Sequence, residues 1–292
     1  MAGSDGITRR SALGAMAGLS GGLMASNALG ANEAETASPL KGRLKQSVCK
    51  WCYGDVPLET LAHAARGMGL LGVELLGPED WPIVKQYGLT CPMANGPGPI
   101  EHGWNEPKNH DGLIQRSEEL LPKVAEAGLP NMIVFSGNRR GMNDRDGIKN
   151  CARGLKRIVS LAESVGVTVC MELLNSRLNH KDYQCDRTAW GVSLVDEVGS
   201  DRFRLLYDIY HMQIMEGNIC QTILDNYKYI AHYHTGGVPG RHEINETQEL
   251  NYRRICEVIV ETGFEGFLAQ EFVPAGRDFV GALREAVQIC DV

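Results

Sequence analysis

Four side chains with metal-binding chemistry stand at the ends of strand-like runs in the second half of the chain. The runs read VCMELLN, LLYDIYH, AHYHTGG and FLAQEF, and they carry Glu172, Asp208, His234 and Glu271. The gaps between these positions are 36, 26 and 37 residues, each about the length of one strand plus one helix. Because parallel strands of a (β/α)₈ barrel end at one face, we expect the four side chains to meet there.

Three carboxylates and one imidazole form a ligand set in which hard oxygen donors dominate. Such a set favours Mn²⁺ or Mg²⁺, with Co²⁺ or Zn²⁺ as alternatives. We therefore predict these metal ligands: Glu172, Asp208, His234 and Glu271. A six-coordinate ion would keep two positions for adjacent substrate oxygens. His234 taken alone is also typical of a hydrogen-bonded core histidine, and His232, on the same strand face, competes with it as the ligand.

Glu172 and Glu271 also suit proton transfer, because they are expected on opposite sides of the ion. A divalent ion that binds the hydroxyl and the carbonyl of an α-hydroxycarbonyl compound acidifies the carbon-bound proton. One carboxylate can then abstract this proton, and the other can return a proton to the adjacent carbon of a cis-enediolate. We predict the two glutamates as the catalytic pair.

Three further residues are predicted to bind the substrate. His211 lies three residues after Asp208 and can face the same cavity, although a helix-capping or solvent-facing histidine is the alternative. Arg241 and His242 belong to the segment PGRHE after the seventh predicted strand. A loop arginine over the mouth of a barrel can bind a carboxylate with two hydrogen bonds, whereas a lone surface arginine is common.

Strand-like and helical patterns alternate from Pro39 to the end of the chain, which predicts a parallel sheet. The predicted strands are 46–53, 72–76, 89–94, 131–135, 168–174, 203–209, 230–234 and 266–271. The predicted helices are 57–68, 81–87, 111–127, 147–165, 188–198, 219–226, 252–262 and 278–289. Together they indicate an α/β fold, a (β/α)₈ TIM barrel that forms a single domain over residues 39–292.

A doubly wound open sheet is the alternative, but the chain has no Gly-rich dinucleotide motif or P-loop to favour it. The Gly- and Pro-rich connection 95–109 is predicted to be a lid.

Residues 1–38 are predicted to be a leader outside this domain. They contain Arg9-Arg10 ahead of a weakly apolar Ala/Gly/Met-rich run, which is typical of a twin-arginine export signal. We therefore expect an exported, periplasmic protein without a membrane anchor in its mature form, with a disordered extension of a cytoplasmic protein as the alternative. Nine cysteines are present, mostly within apolar runs, which favours buried thiols over a redox or zinc role for Cys49 and Cys52.

The composition favours a small-molecule partner over nucleic acid. The formal net charge is −7, so the chain lacks the basic footprint of a nucleic-acid-binding protein. A cation in the site would attract an anionic substrate locally despite that charge. The sequence leaves the oligomeric state open, a homo-oligomer included.

Three segments of the chain resemble hydroxypyruvate isomerases, which belong to the xylose isomerase-like barrel superfamily together with tagatose and psicose epimerases. The similarity runs from about Gln46 to the end and is most specific in the second half. The segments are YDIYHMQIMEGNI (207–219), HTGGVPGRHEIN followed by QELNY (234–252), and GFEGFLAQEF (263–272).

The resemblance implies roles for individual residues. Glu172 and Glu271 match an acid/base pair that also contacts the metal, and Asp208 matches a ligand. The positions of His211 and Arg241 contact substrate oxygens in that family. His234 fills a ligand position that is usually glutamine in hydroxypyruvate isomerases and histidine in ketose epimerases, so it bears on the substrate more than on the chemistry.

The sequence thus predicts an intramolecular isomerase that interconverts hydroxypyruvate and tartronate semialdehyde, or acts on a close small hydroxycarbonyl compound. A ketose 3-epimerase or sugar isomerase keeps the chemistry and changes the substrate. A barrel that binds a sugar without turning it over would lack one of the glutamates, and both are present. A hydrolytic barrel of the endonuclease type would need a multinuclear cluster with several more histidines at strand ends.

Overall fold

The predicted strands form one barrel in the computed structural model, which describes residues 39–292. The strands are Lys45–Cys49 (β1), Gly72–Glu74 (β2), Met93–Ala94 (β3), Asn131–Val134 (β4), Thr168–Glu172 (β5), Phe203–Asp208 (β6), Ile230–His234 (β7) and Phe267–Gln270 (β8). They pair in parallel in the order β2-β1-β8-β7-β6-β5-β4-β3. Isolated bridges between Gly72 and Thr90 and between Leu76 and Ala94 bring the two edges together. This nearly closed barrel confirms the predicted fold, while the leader predicted over 1–38 lies outside the described residues.

Helices follow the strands along the chain. Within residues 39–292 the α-helices are Leu58–Gly67 (α1), Trp81–Gln86 (α2), His110–Glu126 (α3), Asp144–Val165 (α4), Thr188–Val198 (α5), Ile209–Met215 (α6), Ile219–Asn226 (α7), Tyr252–Glu261 (α8) and Phe279–Ile289 (α9). The sequence did not predict α6, which begins directly after β6. Among the described helices, none has both the length and the hydropathy that a membrane span requires.

Helix α4 illustrates why these segments are helical. Asn143 caps its first turn, since its side chain accepts a hydrogen bond from the backbone nitrogen of Asp146. The buried residues Cys151, Leu155, Ile158 and Ala162 recur at helical spacing and form the face that packs on the barrel. Gly166 ends the helix with φ +76°, a left-handed conformation that glycine adopts without strain.

The interior of the barrel has an apolar side and a polar side. Met93, Ile133, Cys170 and Leu206, from β3 to β6, form a small buried cluster that is separate from the main core. On the side of β1, β2 and β7, the buried residues Ser47, Glu74, His232 and His234 carry polar side chains. A buried polar group must find hydrogen-bond partners, so this side has to be a connected network.

The connection 95–109 lies at the barrel mouth and is anchored to the segment after β4, and the lid role expected for it stays a prediction. The backbone nitrogen of Trp104 donates to the Phe135 carbonyl at 3.1 Å, and that of Asn105 donates to the Ser136 carbonyl at 2.8 Å. A Cβ atom on Gly103 would lie 2.2 Å from the Phe135 oxygen, so the loop can approach the end of β4 this closely only with glycine there.

The cysteines behave as core residues. All nine are free thiols, and every one except Cys220 is buried. Burial raises the pKa of the Cys49 and Cys52 thiols well above the ordinary value. A thiol of raised pKa is a poor nucleophile, which agrees with the packing role predicted for this pair.

Candidate active site and metal centre

The four predicted ligands converge at the carboxyl end of the barrel. Each of the residues Glu172, Asp208, His234 and Glu271 is buried, and their ligand atoms all lie within 4.8 Å of one another. The first three are the last residues of β5, β6 and β7, and Glu271 directly follows β8. The register pairs Asp208 with His234 on adjacent strands. Strand order and register therefore bring together residues that are up to 99 positions apart in the sequence.

His234 connects this cluster to a second buried carboxylate below it. Its Nε2 lies 2.9 Å from Glu74 Oε1, and because an ionised carboxylate can only accept, Nε2 donates and Nδ1 faces the cluster. Nδ1 lies 2.8 Å from Glu271 Oε2 and 3.4 Å from Glu172 Oε1. Within residues 39–292 this buried nitrogen has no hydrogen-bond partner of acceptable geometry.

A cation between these groups would remove their mutual repulsion. Burial lowers the pKa of His234, but the charge of Glu271 together with the contacts to Cys49 and Glu172 raises the pKa well above the ordinary value. The cluster therefore attracts positive charge at Nδ1, which a divalent ion supplies as well as a proton does. Three carboxylates and one oriented imidazole fit such an ion. The hydrogen bond from Nε2 to Glu74 is the outer contact that commonly orients a metal-binding histidine.

Arg241 lies at the mouth of the cluster, as predicted for a residue that meets the substrate. Its Nη2 is 2.6 Å from Glu271 Oε2 and 3.1 Å from Asp208 Oδ2. The guanidinium carbon lies 4.9 Å from the ring centroid of Trp51 and 5.2 Å from that of Tyr210. Stacking between two aromatic rings fixes the plane of the guanidinium, so its charge stays directed at the carboxylates.

The surroundings shift the pKa values of the two glutamates in opposite directions. Burial, reinforced by the charge of Glu271, raises the pKa of Glu172. Burial also acts to raise the pKa of Glu271, but Arg241 and His234 outweigh it and lower that pKa well below the ordinary value. Two carboxyl groups whose environments separate their pKa values are suited to act as acid and base. Burial also raises the pKa of Asp208 in the same cluster well above the ordinary value, so of the two glutamates and this aspartate only Glu271 has a lowered pKa.

His211 faces the same cluster with a defined ring tautomer. Asn175 Oδ1 accepts from the backbone nitrogens of Leu178 and Asn179, each at 3.0 Å. Its amide nitrogen is thereby turned to His211 and donates to Nδ1 at 2.6 Å. Burial, followed by the charge of Arg241, lowers the pKa of His211 well below the ordinary value. The neutral ring therefore carries its proton on Nε2, which lies 3.6 Å from Asp208 Oδ2.

We expect Asn175→Asp to lower kcat by about 10- to 100-fold, the usual effect of losing an outer orienting contact. A carboxylate at this position would accept a proton from Nδ1 and leave Nε2 unable to donate to a substrate oxygen. Nitrogen-15 NMR of the imidazole reports the tautomer directly, alongside steady-state kinetics. Asn150→Asp on α4 is the matched control. A native tautomer in the Asn175 variant would contradict the role assigned to this amide.

Comparison with known proteins identifies the family of the chain. Residues 82–288 match the family described as the xylose isomerase-like TIM barrel. The chain belongs to this family. It is 24% identical over 231 residues to a putative hydroxypyruvate isomerase of Homo sapiens, which covers 77% of the chain and 78% of that relative. The resemblance to hydroxypyruvate isomerases and the prediction of an isomerase-like enzyme are confirmed.

Two solved structures share the fold of this xylose isomerase-like barrel. An AP endonuclease, family 2, from Brucella melitensis superposes with a TM-score of 0.75 at 23% identity, covering 82% of this chain and 97% of that one. The apo form of 3-keto-D-glucoside 4-epimerase from E. coli gives a TM-score of 0.70 at 20% identity, covering 84% and 98%. At these identities the likeness shows the fold alone.

A cavity of about 610 Å³ opens beside the cluster. Its lining comprises Trp51, Leu75, Asn95, Gly96, Gly98, Ile100, Ile133, Phe135, Glu172, Leu174, His180, Arg241 and Glu271. Both catalytic candidates and Arg241 thus face one space. Among the described residues, those that line it include neither His242, which is exposed, nor His211, which is buried. The Nδ1 of His242 donates to the Val273 carbonyl at 2.9 Å, and its substrate-binding role stays a prediction.

Sequence reasoning missed three residues of this xylose isomerase-like site. Trp51 donates from Nε1 to Glu271 Oε1 at 2.7 Å, and its ring stacks on Arg241. Asn175 sets the tautomer of His211. Glu74 is fully buried in β2 and accepts from the Nε2 atoms of both His232 and His234. The position of Glu74 inside the apolar run GVELL could have predicted its role, since burying a carboxylate without a partner is costly.

Proposed function

We propose that the chain is a metal-dependent isomerase of α-hydroxycarbonyl compounds that interconverts hydroxypyruvate and tartronate semialdehyde, or acts on a close relative of that pair. The observation that carries the proposal is the pair of glutamates. Glu172 and Glu271 flank a set of atoms that fits one divalent ion, face one cavity, and have pKa values shifted in opposite directions. The similarity to a putative hydroxypyruvate isomerase supports the choice of substrate.

Each residue of the cluster would contribute a separate step. Glu172, Asp208, His234 and Glu271 would hold the ion, which polarises the hydroxyl and carbonyl oxygens of the substrate. Glu271 is ionised and takes the proton from the hydroxyl-bearing carbon. Glu172, on the other side of the substrate, would return a proton to the former carbonyl carbon. His211 donates from Nε2 to a substrate oxygen, and the proton of the substrate hydroxyl passes to the former carbonyl oxygen, so that the two oxygens exchange roles.

Arg241 and Trp51 act on the position and charge of the base. Arg241 Nη2 and Trp51 Nε1 each approach a different oxygen of Glu271, so both oxygens are fixed in direction. The guanidinium can also pair with a substrate carboxylate at the mouth. The apolar part of the cavity wall excludes water, which protects the reactive cis-enediolate from side reactions.

A ketose 3-epimerase or another sugar isomerase is the second candidate. The histidine at position 234 favours it, since the resemblance associates histidine there with ketose epimerases and glutamine with hydroxypyruvate isomerases. Both candidates use the same proton transfer and differ in which carbon receives the proton. A non-catalytic sugar-binding barrel is less well supported because both glutamates are present. The net charge of −7 disfavours a nucleic-acid substrate.

Isotope exchange tests the proposal on several candidate substrates at once. The Mn²⁺-loaded protein is incubated in D₂O with hydroxypyruvate and with a panel of ketoses, and deuterium at carbon is followed by NMR. We expect exchange and isomerisation of at least one compound, and a fall of more than about 100-fold after chelation, because the carbon acid is then no longer polarised. Loaded protein that exchanges none of them would refute the enediolate mechanism.

A further inference from the structure

His180 lines the cavity together with Glu172, Arg241 and Glu271, and the proposed proton transfer leaves it without a role. Its side chain is partly buried. Among the described residues, the hydrogen bonds that His180 forms are those of its backbone. The fully buried histidine rings are all in hydrogen bonds: His110, His211, His232 and His234. An imidazole with a free donor and a free acceptor beside the two glutamates can bind a substrate.

The loop after β5 holds His180 in place from both sides. Its backbone nitrogen donates to the Asn175 carbonyl at 3.1 Å, and its carbonyl accepts from the Tyr183 nitrogen at 3.0 Å. Tyr183 is fixed in turn, because its hydroxyl donates to the Glu172 carbonyl at 2.9 Å. The side-chain amide of the same Asn175 donates to His211 Nδ1. One asparagine therefore positions both histidines, and the backbone that carries the free ring is preorganised.

His180 lies further from the ligand cluster than His211 does. His211 is fully buried, and its Nε2 is 3.6 Å from Asp208 Oδ2. The rings of His211 and His180 meet edge to face with their centroids 5.3 Å apart, and His180 is the more exposed of the two. A substrate that places two adjacent oxygens at the cluster and at His211 therefore directs its next carbon toward His180.

The charges around His180 favour an anionic group beside its ring. Burial lowers the pKa of His180, and the positive charge of Arg241 lowers it further. The carboxylates of Glu101 and Glu271 act in the opposite direction and more weakly. A place where a cation outweighs the nearby carboxylates disfavours a proton on the ring and favours a substrate carboxylate. Such a carboxylate can accept from the imidazole and the guanidinium together.

We propose that His180 recognises the third carbon of the substrate, by donating a hydrogen bond to a carboxylate that Arg241 also attracts. This inference rests on the proposed function and refines it. It selects an α-hydroxycarbonyl acid over a ketose, which has a hydroxyl-bearing carbon at this place and gains no charge interaction there. His180 removes no proton from carbon, so its contribution is to binding and not to the chemical step.

Three α-hydroxy acids isolate the effect of the third group, because each offers a metal ion the same hydroxyl and carboxylate. Glycolate has no third group, glycerate has a hydroxymethyl group, and tartronate has a second carboxylate. Calorimetric titration of the Mn²⁺-loaded full chain measures their dissociation constants without turnover. We expect tartronate to bind at least about tenfold more tightly than glycerate, since hydrogen bonds to charged groups are the stronger ones. Equal binding of tartronate and glycerate would overturn the assignment of a carboxylate.

His180→Leu removes the ring nitrogens and keeps a side chain of comparable size. We expect it to reduce the preference for tartronate over glycerate by about tenfold and to leave glycolate binding unchanged. The KM for hydroxypyruvate should rise by about tenfold with little change in kcat, because binding common to ground and transition states is lost. His180→Gln keeps a donor and should restore part of the preference. An unchanged preference in His180→Leu would refute the role of this ring.

His63→Leu is the matched control, since His63 is exposed on α1 and should leave all three dissociation constants unchanged. The binding data also keep this inference apart from the proposed function. If no candidate substrate exchanges its proton in D₂O but the tartronate preference depends on His180, the carboxylate site stands and the proposed reaction falls. If exchange proceeds but His180→Leu keeps the preference, the site falls and the reaction stands.

Discussion

Glu172→Gln is expected to lower the kcat of isomerisation by about 10²- to 10⁴-fold, the usual contribution of a positioned general acid. The Glu172→Gln variant should remove the carbon-bound proton at a rate closer to that of the native protein than its rate of isomerisation. Glu271 still takes the proton in this variant, whereas no group returns a proton to the adjacent carbon. Glu271→Gln should abolish both. Measuring isomerisation and deuterium washout on the same samples separates the two steps, since the washout needs the base alone.

The control is Glu163→Gln. Glu163 lies at the carboxyl end of α4, away from the cluster. Its Oε1 accepts a hydrogen bond from Ser200 Oγ at 2.6 Å. The Glu163 variant makes the same carboxyl-to-amide change, so any effect that it has on kcat measures the general cost of such a change. If Glu172→Gln lost washout and isomerisation to the same extent while Glu271→Gln kept washout, the acid and base would have to be exchanged.

The strand order and the ligand cluster could be predicted because both depend on local signals. Buried parallel strands read as short apolar runs, and a carboxylate inside such a run needs a partner. The bounds of β7, α5 and α7 agree with the predicted ones. Residues at the carboxyl ends of barrel strands meet at one face, whatever the length of the loops between the strands. The spacing in the sequence was therefore enough to predict that Glu172, Asp208 and Glu271 lie together.

The features that were missed depend on tertiary contacts. Strand β2 ends at Glu74 instead of Leu76, because Leu75 has φ +58°, a left-handed conformation that an extended strand does not contain. Helix α6 follows β6 at once because Asp208 also caps it, with Oδ1 accepting from the His211 nitrogen at 3.0 Å. Helix propensity alone does not reveal that Asp208, a predicted metal ligand, also caps α6.

The outer contacts of the site have no sequence signal of their own. Glu74 and His234 are 160 positions apart, and Trp51 and Glu271 are 220 apart. Their pairing follows from closure of the barrel, which places the first two strands against the last two. The Gly-rich connection 95–109 is likewise anchored to the segment after β4 through backbone contacts that no composition reveals.

Glu74→Ala is expected to reduce the free energy of unfolding by about 3–5 kcal/mol at pH 7, because it removes the acceptor of several buried donors at once. Ser47 Oγ, His232 Nε2 and His234 Nε2 all donate to this carboxylate, at 2.5, 2.8 and 2.9 Å. Without it, His234 is no longer held with Nδ1 toward the cluster, so we also expect about 10- to 100-fold weaker metal binding. Urea denaturation and calorimetric titration with Mn²⁺ measure the two effects.

The contribution of Glu74 should depend on pH in a defined direction. Burial alone would raise its pKa, but the charges and hydrogen bonds of His232 and His234 lower it from 4.5 to about 2. A lowered pKa means that the stabilisation is complete above about pH 4.5 and is lost as the pH falls toward 2. The isosteric Glu74→Gln isolates this charge, and Glu118→Gln on the exposed face of α3 is the control. A stability gap between native and Glu74→Gln protein that failed to narrow from pH 5 to pH 3 would show that Glu74 is not the charged acceptor of the two histidines.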